Sequence, residues 1–137
     1  KQVLIDAAAS KIANFSNNVG MFKSVNFKPP ETNDARANFP VLMDHTMDLE
    51  LVYEAAALNG NTSWITKADM HLDKLYANMV RQDGSTVQWG YFYDQTGAFI
   101  SAETRQGLSG LSTWSRGQAS TAPLPCVPPE ASQRRPT

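Results

Sequence analysis

Apolar residues recur at steps of three and four in three successive segments of this chain, a period that suits helices rather than strands. In residues 2 to 19, Leu4, Ala8, Ile12, Phe15 and Val19 form one stripe with Lys11, Asn14 and Asn18 off it, so a helix is expected up to Gly20. Residues 21 to 39, with Pro29-Pro30 followed by Thr, Asn and Asp, read as a long connection. A second helix is expected from about Pro40 to Leu58, because proline is tolerated in a first turn and Asn59-Gly60 is a good stop. Its apolar positions, Leu42, Met43, Met47, Leu51, Val52, Ala55 and Leu58, cover more than one stripe and point to an inner helix. A third helix runs from a Thr62 or Ser63 cap through Ile65, Ala68, Leu72, Leu75, Met79 and Val80 to the break at Asp83-Gly84. Three helices are thus expected before any strand.

Beyond Gly84 the pattern becomes extended. Residues 86 to 93 are rich in aromatic and β-branched side chains, 94 to 97 are turn formers and 98 to 102 are extended again, which predicts a β-hairpin. Ser112-Thr113 opens a short fourth helix carrying Trp114, Arg116, Gln118 and Ala119. Residues 120 to 137 hold five of the eight prolines, and no helix or central strand can run through that spacing. The folded part is expected to end at 119, with a disordered proline-rich tail after it.

A formal net charge of −1 lacks the basic excess that neutralises phosphates, so nucleic acid is not an expected partner. No apolar run approaches the roughly 18 residues of a membrane span, so no membrane partner is expected either. The one cysteine, Cys126, cannot form an intramolecular disulfide and lacks the company of a zinc site. Lys1 stands where an initiator methionine would, so an upstream targeting segment is left open.

The chemistry-bearing residues are few. Asp44 and Asp48, four apart, would share a helix face with Glu50 and Glu54 nearby. Asp44 among Leu42, Met43 and Met47 either complements a helix N-terminus or is a desolvated acid able to donate a proton, and spacing does not choose between the two. His45 and His71 lack metal-ligand spacing and read as core histidines. Ser109 in GLSGLS does not form a nucleophile elbow. Trp89, Tyr91, Phe92, Tyr93 and Trp114, with Arg105, Gln106 and Arg116 close in sequence, suit an acidic sugar: an indole packs on the ring and a guanidinium grips its carboxylate.

Four strings in order, FPVLMDHTMDLELVYEAA (39 to 56), RQDGST (81 to 86), YDQTG (93 to 97) and RQGLSGLSTWSRGQA (105 to 119), resemble the unsaturated glucuronyl hydrolases of glycoside hydrolase family 88. His71 and Asp73 resemble a His-x-Asp pair of the same family. The resemblance implies a mainly α fold, a fragment of an (α/α)6 barrel with a β-hairpin insertion. It also implies hydrolysis of oligosaccharides that end in a 4,5-unsaturated uronic acid, by hydration of the double bond. Asp44 matches the general acid/base; Gln106, Trp114 and Arg116 match substrate-binding positions, with Gln88 and Trp89 as weaker candidates. No cofactor or metal is implied.

The chain departs from the family's pattern in several places. A second family aspartate would lie upstream of the match, Gln88-Trp89 stands where the family shows a Tyr-His pair, and Ser120 replaces a tryptophan. The match covers roughly a third of such a catalytic domain, so the 137-residue chain alone is expected to be inactive. A related rhamnogalacturonyl hydrolase and a noncatalytic carbohydrate-binding remnant are the alternatives.

Overall fold

A computed structural model describes residues 1–26, 34–86, 90–104, 108–109 and 112–120. Helix α1, Gln2–Ile12, is followed by two short antiparallel strands, β1 (Phe15–Ser16) and β2 (Met21–Phe22). Strand β3 (Phe39–Leu42) runs into a 3₁₀ turn, Met43–Thr46, and then α2, Leu49–Asn59. Helix α3 spans Thr62–Met79, strands β4 (Gly90–Tyr93) and β5 (Phe99–Glu103) follow, and α4 spans Ser115–Ser120. The second sheet has the order β3-β4-β5 and is antiparallel throughout.

Two expected helices are shorter than their apolar period indicates. Helix α1 stops at Ile12, and Asn17 and Asn18, good turn formers, sit where the chain reverses. Gly20 takes a left-handed φ of 70°, and the Phe15 and Phe22 rings meet edge to face at 5.0 Å across the small sheet. Residues 39–42 form a strand instead of the first turns of the second helix. A short, continuous apolar run is ambiguous by periodicity, and pairing of Val41 with Tyr91 and Leu42 with Gly90 decides it. Pro40 is tolerated because β3 is the outer strand of its sheet. Ser24 covers that edge, its N–H donating to Pro40 O at 2.9 Å and its Oγ accepting from Leu42 N at 2.8 Å. Strands therefore precede the second and third helices, contrary to expectation.

The other expectations fare better. Helix α2 ends at Gly60, whose φ of 73° lets its N–H reach Ala56 O. Helix α3 lies where its stripe places it, although the cap is Asn61, accepting from Ser63 N at 3.1 Å, and not Thr62 or Ser63. The hairpin is present as β4 and β5 and gains β3 as a third strand. The fourth helix extends through Ser120, one residue past the expected end of the folded part; the rest of the tail, 121–137, lies outside the described residues.

The core joins sheet to helix. Val41, Met43, Leu75, Met79 and Tyr93 pack together between β3, β4 and α3, while Leu49, Val52, Leu72 and Phe22 fill the space between α2, α3 and β2. His71 lies fully buried beside Phe22 and accepts from Phe22 N at 3.1 Å through Nδ1, which fixes that nitrogen as unprotonated. This supports the expectation of a core histidine. Gly90 lets β3 and β4 approach, since a Cβ there would come within 2.6 Å of Leu42 Cδ2 and 2.9 Å of Val41 O.

Burial, with a smaller contribution from the charge of Lys11, pushes the His71 pKa down from 6.5 to about 3. The unfolded chain binds the extra proton, so this stabilisation is complete above about pH 6.5 and is lost progressively as pH falls toward 3. Urea unfolding across that range should show stability falling by up to about 1.4 kcal/mol per pH unit from this group. His71→Asn, which keeps an acceptor for Phe22 N, should flatten the slope even though it lowers the plateau. Gly90→Ala should cost about 1–3 kcal/mol by overpacking β3 against β4, read by the same measurement.

Candidate active site

Asp44 sits in the 3₁₀ turn that follows β3, not on an α-helix, and this changes its company. Asp48 does not share its face. It occupies the N-cap position of α2 without bonding the helix backbone through its side chain, and instead accepts from Lys11 Nζ at 2.9 Å. Lys11 Nζ also lies 2.6 Å from His45 Nδ1, and because an ammonium can only donate, His45 accepts and is neutral. The 3.3 Å approach of His45 Nδ1 to Asp48 is therefore not an ion pair. Burial and then the Lys11 charge hold the His45 pKa below its ordinary value, consistent with that geometry.

Asp44 instead faces α4. Arg116 Nε donates to Asp44 Oδ1 at 3.2 Å and Nη2 to Oδ2 at 3.0 Å, a two-pronged pair across 72 residues of sequence. Above the indole of Trp114, Arg116 Cζ lies 3.7 Å from the ring centroid, in cation–π range. Trp114 itself is half-buried against Ala37, Leu42 and Phe92, which anchors the stack to the sheet. The Asp44 side chain is 32% exposed and that of Arg116 54%, so among the described residues nothing shields Asp44 from solvent completely. Met43 is buried and Met47 is turned out to solvent.

Three sequence-identified candidates, Asp44, Trp114 and Arg116, thus converge in one solvent-accessible layer of carboxylate, guanidinium and indole. Gln106, Gln88 and Trp89 lie outside the described residues. The stack has the chemistry to exchange a proton at Asp44 and to meet an anionic, partly apolar ring at Arg116 and Trp114. The sequence reading missed Lys11, whose links to His45 and Asp48 span 34 and 37 residues and leave no local signal. It also missed Gly117, which is buried; a Cβ there would stand 3.2 Å from Met43 Cγ, so a larger residue would push the Met43 side chain aside by a few tenths of an ångström.

The chain resembles unsaturated glucuronyl hydrolases over most of its length. It is 30% identical over 119 residues to the unsaturated glucuronyl hydrolase of Formosa agariphila, a match covering 87% of this chain and 28% of that protein. Over 84 residues it is 31% identical to the unsaturated chondroitin disaccharide hydrolase of Streptococcus agalactiae, covering 61% of this chain and 21% of that one. The crystal structure of an unsaturated glucuronyl hydrolase specific for heparin superposes with a TM-score of 0.75 at 33% identity, covering 85% of this chain and 30% of that one. No protein-family model matches the chain. The chain spans 28% and 21% of the length of these two curated relatives.

Because Arg116 is exposed and Asp44 partly so, solvent screens the pair and its contribution to folding is small. Asp44→Asn and Arg116→Met should each shift the urea unfolding free energy by no more than about 1 kcal/mol. A larger loss would mean that the pair is there to hold the fold.

Proposed function

We propose that the protein is a glycoside hydrolase that removes 4,5-unsaturated uronic acid residues from the ends of oligosaccharides, in polysaccharide breakdown. The observation that carries this reading is the meeting of Asp44, Arg116 and Trp114 in one accessible layer, within a chain similar to unsaturated glucuronyl hydrolases. In this reading the described elements are a fragment of an (α/α)6 barrel, with residues 1–119 as the partial catalytic domain.

In this reading Asp44 gives its proton to one alkene carbon, and the oxygen of a water bonds the neighbouring carbon. The water's proton returns to Asp44. The resulting hemiketal then opens and releases the rest of the saccharide. Arg116 binds the uronate carboxylate, with Trp114 supporting the guanidinium on one side. That guanidinium is also paired with Asp44. An arriving uronate competes with Asp44 for it. Gln106 is a further substrate-binding candidate by the same resemblance, with Gln88 and Trp89 as weaker ones. No cofactor takes part in these steps.

Turnover of an unsaturated chondroitin disaccharide removes the conjugated alkene and with it the ultraviolet absorbance. Asp44→Asn should abolish that decline while saccharide binding, measured by titration calorimetry, survives. Undiminished turnover in the variant would take Asp44 out of the reaction. Saturable binding with no turnover by a full-length protein carrying this segment would support a noncatalytic binding role instead.

A further inference from the structure

Helix α4 spans only six residues, too short to hold its position by its own hydrogen bonds, yet the place of Arg116 depends on it. Residues two apart on a helix point about 200° apart, so Gln118 faces away from the side that Arg116 presents to Asp44. Its amide engages the turn at 83–86 at two points. Oε1 accepts from Thr86 N at 3.0 Å, and Nε2 donates to Gly84 O at 3.0 Å. Both partners are backbone groups, so the contact reads the shape of the turn and not its side chains.

Arg81 ties the same turn to the other end of α4. Its Nη1 donates to Thr86 O at 2.8 Å, to Ser85 Oγ at 3.0 Å and to Thr113 Oγ1 at 2.8 Å, just ahead of the helix. The turn is itself tightly closed. Gly84 adopts a φ of 79° and donates to Arg81 O at 2.9 Å, Arg81 N donates to Ser85 O at 2.8 Å, and Ser85 N donates to Asp83 Oδ1 at 2.9 Å. Between the two tethers, Gly117 lies against Met43 and Thr86.

We propose that Gln118 is a positioning residue for the Asp44–Arg116 pair, acting through the 83–86 turn with Arg81 as the second tether. The inference rests on the reading of Asp44 and Arg116 as the reacting and carboxylate-binding groups, but the geometry can be tested without substrate. In the full 137-residue chain, solvent exchange of Arg116 Nε–H is followed by nuclear magnetic resonance, with Phe22 N–H as a core reference. Gln118→Met, of similar length, removes both bonds and should speed Arg116 exchange roughly tenfold, the population shift that two ordinary hydrogen bonds carry, with Phe22 unchanged. Gln118→Glu keeps the acceptor for Thr86 N but loses the donor to Gly84 O at neutral pH, and should fall between the two. Unaltered Arg116 exchange in Gln118→Met overturns the proposal, and so does equal acceleration at Phe22, which reports general loosening. Absence of turnover in a full-length protein carrying this segment would count against the functional reading alone, because the exchange measurement decides the tether separately.

Discussion

Backbone pairing of β3 with β4 governs where the chemistry sits. Val41 and Leu42 are held against Tyr91 and Gly90, so the chain leaves the sheet at Met43 and must turn at once. Met43 enters the core beneath the turn, and the next residue, Asp44, is left at the surface facing α4. Had residues 40 to 58 formed one continuous helix, Asp44 and Asp48 would have shared a face and neither would be placed as it is. The strand costs the helix its first turns and supplies a third strand to what would otherwise be a bare hairpin, which is marginal in water.

Around that turn, charge is sorted to two sides. Lys11 engages Asp48 and the neutral His45 on the α1 side, while Arg116 engages Asp44 on the α4 side. Two carboxylates four residues apart therefore have different cationic partners from opposite ends of the described chain. Neither pair is deeply buried, and their contribution is orientation more than stability. The stack of Arg116 on Trp114 works in the same sense, because the half-buried indole limits where the guanidinium can go.

Much of this was legible beforehand. The stripe from Ile65 to Met79 is long and regular enough to define α3, and Asn59-Gly60 ends α2 because glycine takes the left-handed conformation without strain. Asp44, Trp114 and Arg116 stood out through residue type and resemblance to a known motif, and they meet. The misreadings have one physical origin. Periodicity cannot separate a short buried strand from the first turns of a buried helix, as at Phe39–Leu42, and a stripe can run on past a true helix end, as it does beyond Ile12. Lys11, Gly117 and Gln118 had no local signature because their partners are distant in sequence.

The sequence by itself determined the local propensities: where helices could start and stop, which faces are apolar, and which few side chains can hold a proton or grip a carboxylate. Tertiary structure alone decided that Asp44 lies on a tight turn, that its carboxylate meets Arg116 across 72 residues, and that α4 is moored to the 83–86 turn. The physical reason is that strand pairing and long-range hydrogen bonds depend on groups every residue carries, the backbone N–H and C=O. Which of them find one another is settled only when the whole chain packs.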